Sequence, residues 1–199
     1  MKHIILFSIN CLLGLAACSS NATKPSEGIQ SEAARIVTGL CEGRKELSAE
    51  KMEEYIADDF HSVDDDGSTR VYDREFAKTM CEWEKVMHAQ WTYEILGVND
   101  SAVTVMLKEK NDYYALLGLG GSIQVSEYVV ANGKVQHWKS KLFITENSTQ
   151  REGLTKFRNW LLSQPGLNEP KLISPDSSII FNGEAAPRML HWLKEWNKQ

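Results

Sequence analysis

This sequence has no surplus of basic charge. Lys and Arg number 22 against 27 Asp and Glu in 199 residues, a formal charge of -5. A nucleic-acid-binding chain needs a basic face, so no nucleic-acid partner is expected. Nor does it have the composition of a disordered chain, since 42% of its residues are hydrophobic and 9% aromatic. It has no zinc-protease helix, paired CxxC, Walker loop or nucleophile elbow. His3, His61, His88, His137 and His191 have no metal-ligand spacing, so neither a metal nor a cofactor is expected. Ser48-Ala-Glu-Lys51 matches SxxK in form only; its companion motifs are missing, and capping of a helix explains Ser48 better. Gly118, Gly120 and Gly121 do not open a helix, which argues against a phosphate cradle.

A membrane-spanning run is also lacking. The longest apolar stretch, Ile4 to Ala17, is broken by Ser8 and Asn10 and is too short for a spanning helix, but it has the length of a signal peptide. Lys2 supplies its positive start and Leu15-Ala16-Ala17-Cys18 closes it. That ending resembles the lipobox of bacterial lipoproteins. The resemblance implies a signal peptide over residues 1–17 and an acylated Cys18 as the first residue of the mature chain. Several acyl chains on one residue hold stably, because each buried CH₂ adds about 0.8 kcal/mol. Ser19 follows the cysteine where an Asp would imply inner-membrane retention, so the expected location is the cell envelope, anchored by lipid in the outer membrane. Residues 18–30 hold Ser, Asn, Thr, Lys, Pro and Gly and read as a tether.

Cysteine is therefore scarce in the folded part. Cys11 leaves with the signal and Cys18 carries lipid, which leaves Cys41 and Cys81. An exported compartment permits a disulfide between them. Each also falls on the apolar side of an expected helix, as two small buried residues would.

Periodicity orders the rest. Ser31 precedes a stripe of Ala33, Ile36, Val37, Leu40 and Cys41, with Gly43 as its stop. Ser48 caps a shorter helix with Met52, Tyr55 and Ile56. Residues 58–67 read as a brief strand running into an acidic turn. Asp73 caps a third helix whose Phe76, Met80, Trp83 and Met87 share a face. Alternation then replaces the helical period. Trp91, Tyr93 and Ile95 point one way in a strand that ends at the Asn99-Asp100 turn. A second strand, from Ala102 to Leu107, turns polar at residues 108–112; an apolar run from Tyr113 to Leu119 ends in Gly120-Gly121. Ile123 to Ala131 and Val135 to Thr145 flank Asn132-Gly133, a strong hairpin signal. Helices followed by antiparallel strands predict an α+β fold.

The order is similar to that of the nuclear transport factor 2-like superfamily, with its SnoaL-like and ketosteroid-isomerase-like branches. Tyr55-Ile56-Ala57-Asp58-Asp59-Phe60, Asp66-Gly67, Asn99-Asp100 and Glu127-Tyr128-Val129-Val130-Ala131-Asn132-Gly133-Lys134-Val135 carry the resemblance, over residues 31–146. It implies a cone-shaped, curved antiparallel sheet with N-terminal helices on its concave face, often around an apolar pocket. It also implies dimerisation through the sheet in many members, and so a possible homodimer as partner. Residues 147–199 form a helical extension. Thr149 and Glu152 make a capping box ahead of Leu154, Phe157 and Leu161, Pro165-Gly166 stops that helix, Ile179 to Phe181 reads as a short strand, and a last helix carries Met189, Leu193 and Trp196. This tail either packs on the domain or presents Trp to a partner.

In the ketosteroid-isomerase-like branch an aspartate just before a Gly turn acts as base, which implies Asp64 or Asp66; three adjacent aspartates also form solvated turns. Glu127 alternates with Ile123, Val125 and Val129, so an acid lies on the apolar side of its strand. If buried there it needs a partner or a raised pKa, with His137 or Lys139 on the next strand as candidates; on a wet face it needs neither. Tyr55, Trp83, Trp91 and Tyr93 are pocket-lining candidates, or plain core. Two functions follow: a lipid-anchored domain that binds a small apolar ligand or a protein partner, or an isomerase, cyclase or dehydratase that uses a pocket carboxylate as general base.

Overall fold

The computed structural model describes residues 31–63, 67, 69–71, 74–145, 150–164, 172–174 and 179–199. The signal peptide, Cys18, the tether, Asp64, Asp66, the Asp73 cap and the Thr149 end of the capping box lie outside them.

Helix α1, Glu32–Lys45, starts where Ser31 Oγ accepts the Ala34 amide at 3.1 Å. It runs on through Gly43 to Lys45, beyond the expected stop. Gly43 has another reason to be there: a Cβ would sit 3.0 Å from the Met52 Cγ and backbone nitrogen of the next helix. That helix, α2 (Ala49–Glu53), is capped by Ser48, whose Oγ accepts the Lys51 amide at 3.3 Å. Strand β1, Ile56–Val63, pairs with a short edge strand, β2 (Thr69–Val71), that periodicity does not reveal because it has only three residues. Helix α3, Arg74–Val86, follows.

Strands β3 (Gln90–Asn99) and β4 (Ala102–Lys110) form the first long hairpin. β4 does not end where its sequence turns polar. Val103, Val105, Leu107 and Glu109 are buried in alternation, with Lys108 and Lys110 exposed between them. The apolar run after it opens as a short helix, α4 (Asp112–Leu116), because Asn111 Oδ1 accepts the Tyr114 amide at 2.8 Å. β5 (Ser122–Ala131) and β6 (Lys134–Thr145) meet at Asn132 (φ 53°) and Gly133 (φ 73°), as that dipeptide prefers. The tail supplies α5 (Gln150–Leu162) and α6 (Ala186–Trp196) with Pro187 in its first turn; the segment expected as a strand makes one antiparallel bridge, Ile173 to Ile179.

The result is an α+β fold with one six-stranded, open sheet in the order β2-β1-β6-β5-β4-β3. Its pairs are antiparallel except β1 with β6, which is parallel. Register breaks at Ile95/Gly97, Val125/Ser126 and Val129/Val130 are bulges, which bend strands and give the sheet its curve. Two cores result. In the first, Ile36, Val37 and Leu40 of α1 meet Val103, Val105, Tyr128 and Val135 of the sheet. In the second, Trp83 of α3, Met87 just beyond its end and Tyr113 of α4 meet Phe157, Leu161, Met189 and Leu193 of the tail. The stripe expected on α3 is therefore divided. Trp83 and Met87 are fully buried against the tail, while Phe76 stays 40% exposed.

Candidate functional site

The faces of α1, α2 and α3 do not fill the space above the sheet. Leu40, Cys41 and Arg44 from α1, Met52 from α2, and Ala77, Met80, Cys81 and Glu84 from α3 surround a cavity of about 240 Å³. Ile56, Phe60, Leu107, Gln124, Tyr128 and Trp138 of the sheet form its other walls, with Phe76 half in solvent beside it. Ala77, Cys81 and Glu84, at i, i+4 and i+7, give α3 a second buried face next to the one held by the tail.

The polar part of this cavity is a charged cluster. Arg44 Nη2 donates to Glu84 Oε1 at 3.3 Å, and its guanidinium lies 4.0 Å from the centre of the Trp91 ring. Burial works against the charge on Arg44, but Glu84, by its charge and its hydrogen bond, helps to offset it, so the guanidinium is held charged. Burial pushes the Glu84 carboxyl above its usual range, with Arg44 opposing. Glu109 extends the apolar face of β4 into the same cluster. It faces Trp91 on β3 and Ser122 on β5, accepts from Asn111 Nδ2 at 2.5 Å, and accepts from Ser122 Oγ at 3.4 Å. Burial first, and the charge of Glu84 second, push it up to about 7.

The thiols in the cavity wall are unpaired. Cys41 and Cys81 are both free and buried, as the second of the two readings had them, and no disulfide joins them. Cys81 Sγ instead touches Met52 Sδ at 3.9 Å. Burial pushes Cys41 up to about 12 and Cys81 up to about 11, which leaves both as unreactive thiols.

The residues singled out from the sequence are scattered. Glu127 is not in the cavity. β5 keeps an unbroken register against β4, and the burial of Ser122, Ser126, Tyr128 and Val130 puts its inner face on the even positions. Glu127 is on the outer face, half-exposed, and pairs with Lys141 at 3.3 Å. His137 is on another part of the sheet, where it stacks on His61 with ring centres 5.4 Å apart. Tyr55 packs on α1 against Gly39, where a Cβ would come within 2.2 Å of its ring. Tyr93 donates to Glu42 Oε1 at 2.7 Å, and Trp83 belongs to the tail-side core. Trp91 lies under Arg44, beside the cavity rather than in its lining.

Arg44, Glu84 and Glu109 were not read from the sequence as a site. Their signals were there. Arg44 and Glu84 continue the apolar stripes of α1 and α3, and Glu109 continues the alternation of β4. Each looks like the polar end of an element, and the chain pattern does not show that the three ends meet. Among the described residues no cluster of three or more His, Cys, Asp or Glu is arranged to hold a metal, and no helix is long and apolar enough to cross a membrane.

No protein-family model and no curated protein matches this chain. Solved structures do. It is similar to an NTF2-like protein of unknown function from Cytophaga hutchinsonii, at 8% identity over 59% of this chain and 94% of that one, with a TM-score of 0.42. It is similar also to the polyketide-cyclase candidate IdmH from Streptomyces antibioticus, at 16% identity over 63% and 99% of the two chains with a TM-score of 0.47. A third is an LEH-like epoxide hydrolase of M. tuberculosis, at 13% identity over 63% and 90%, with a TM-score of 0.44.

Proposed function

We propose that this chain is a lipid-anchored, nuclear transport factor 2-like domain of the bacterial cell envelope, held at the outer membrane through Cys18, that binds a small apolar ligand between its helices and its curved sheet. The observation that carries the binding reading is the 240 Å³ cavity, walled mainly by apolar side chains and bordered by a few convergent polar groups. A stable core of this size has a physical reason to close such a space, because each missing contact forfeits dispersion energy and apolar burial. A cavity kept beside a filled second core fits a use for it.

The general-base reading has less support. Of the described acids, Glu84 is in the cavity wall, and its carboxylate is tied to Arg44. A base needs a free lone pair within reach of the proton it takes. Glu127 is on the far face of the sheet.

Extraction of the chain purified from its native membrane, followed by mass spectrometry of the extract, tests the binding reading. A stoichiometric apolar molecule is expected; a chain that holds none and takes up no apolar probe would refute it. The anchor is tested on the N-terminal peptide. Its mass is expected to include acyl chains on Cys18, and an unmodified peptide beginning elsewhere refutes the anchor without touching the ligand.

A further inference from the structure

From the sulfur atoms of the helix layer, we infer a metal site: Cys41, Met52, Met80 and Cys81 hold one soft monovalent ion of the Cu(I) class. The site belongs to helices α1, α2 and α3 alone and does not depend on what binds against the sheet.

Sulfur is concentrated here. Cys41 comes from α1, Met52 from α2, and Met80 and Cys81 from α3, and all four line one wall. Met87, Met106 and Met189 lie elsewhere, and no other cysteine or methionine occurs among the described residues. Cys81 Sγ is 3.9 Å from Met52 Sδ. Two sulfurs bound about 2.3 Å from one metal in a trigonal arrangement are about 4 Å apart, so this pair already has the spacing of two ligands. Arg44 ties the other two helices together. It is one turn beyond Cys41, and it pairs at 3.3 Å with Glu84, one turn beyond Cys81. Burial dominates both thiols and raises them, yet Arg44 acts on both in the opposite direction, so both face the same cation.

The donor set selects the metal. Thiols and thioethers are soft ligands and favour Cu(I). Zn(II) sites are built from Cys, His and carboxylate. Here two of the four donors are methionines, the wall has no histidine, and its one acid is held by Arg44. Charge fits a monovalent ion. Cu(I) forms a bond to the Cys81 sulfur, the S–H bond breaks, and the proton leaves to solvent, so the charge of this dry wall is unchanged. The burial that keeps the thiols protonated does not bar this step, because the metal takes the place of the proton. Met52 and Met80 add two neutral donors on flexible stems, and Cys41 supplies a fourth sulfur.

Titration of the reduced full chain with Cu(I), presented as its bicinchoninate complex without oxygen, tests the inference. One equivalent is expected to pass to the chain, and X-ray absorption at the copper edge should show a shell of sulfur alone. Met52→Leu keeps the volume of the side chain and should weaken binding at least about tenfold, as should Cys81→Ala. Met106→Leu, and Cys11→Ser with Cys18→Ser, should leave it unchanged. Zn(II) at the same concentration should not displace the copper. Failure of Cu(I) to transfer shows that the four sulfurs only fill space and overturns the inference. A copper shell with nitrogen or oxygen, equal binding by Met52→Leu and Cys81→Ala, or displacement by Zn(II) overturns it too. The shell is read on the parent chain, so the test stands even where a variant fails to fold. None of these outcomes touches the apolar-ligand reading.

Discussion

On one side of α3, Trp83 and Met87 meet Phe157, Leu161, Met189 and Leu193, and aromatic rings fill the gaps. Phe181 lies edge-on to Trp83 at 4.9 Å, and Trp160 and Trp196 pack at 5.4 Å. On the other side, Ala77, Cys81 and Glu84 face a cavity with a charged cluster in its wall. The two regions share a helix and differ in what they leave empty. The tail side is made of large side chains brought from far along the chain, and it has the close packing of a structural core. The cavity side uses small or flexible residues (Ala, Cys, Met) on three helices, which hold the walls apart. Stability should therefore sit mainly in the tail side, and ligand chemistry in the other.

Phe157→Ala breaks the comparison most directly. Phe157 is fully buried, and its loss is expected to cost about 3–5 kcal/mol, seen as a lower midpoint in urea unfolding. Met80→Ala, in the cavity wall, should cost clearly less, because that side chain already lacks neighbours on one side. Equal losses would mean that the cavity side is packed as tightly as the tail side.

Proton linkage separates the regions next. Glu109 is raised to about 7 from its ordinary 4.5. The folded chain thus holds a proton that the unfolded chain releases between those two values. Its contribution is fully present below about 4.5 and is lost as pH rises to about 7. Glu109→Gln removes this dependence. Unfolding midpoints of the variant should vary less across that window. Above it the variant should exceed the parent by up to about 3 kcal/mol, which is the shift expressed as energy. Glu84, also raised by burial, acts in the same direction and remains in the variant. A parent chain with no slope between about 4.5 and 7 would show that Glu109 is not held protonated.

Much of this fold was legible in the sequence, and the reasons are local. Ser31 and Ser48 cap their helices, Asn132-Gly133 turns its hairpin, and Phe157 and Leu161 fall on a buried stripe because those signals need only their near neighbours. The site was less legible because it depends on which face of a strand is inside. The expectation for Glu127 followed the apolar residues Ile123, Val125 and Val129. The packing of α1 instead buries the face of Ser126, Tyr128 and Val130. A polar serine at the centre of the true inner face hid that face from a pattern of hydrophobicity. Glu109 was hidden differently. A charged residue between two lysines reads as the end of a strand, and only Trp91, Asn111 and Ser122, brought alongside by pairing and a turn, make it a buried one.

The finest test uses the same change on both sides. Ala186 of α6 is fully buried in the tail-side core, and Ala77 of α3 is almost as buried in the cavity wall. Leucine adds the same atoms to each. In the tail core there is no room, so Ala186→Leu must push side chains off their rotamers and is expected to cost about 1–3 kcal/mol. At Ala77 the added atoms enter the cavity, bury apolar surface there and replace contacts that the empty space forfeits. The transfer gain and the small strain should nearly cancel, so thermal unfolding should shift little. Binding of an apolar probe should fall sharply in that variant, because the leucine takes the volume the ligand needs. A loss of stability at Ala77 equal to that at Ala186 would mean that the cavity walls close up without a ligand, and would remove the contrast on which the binding site rests.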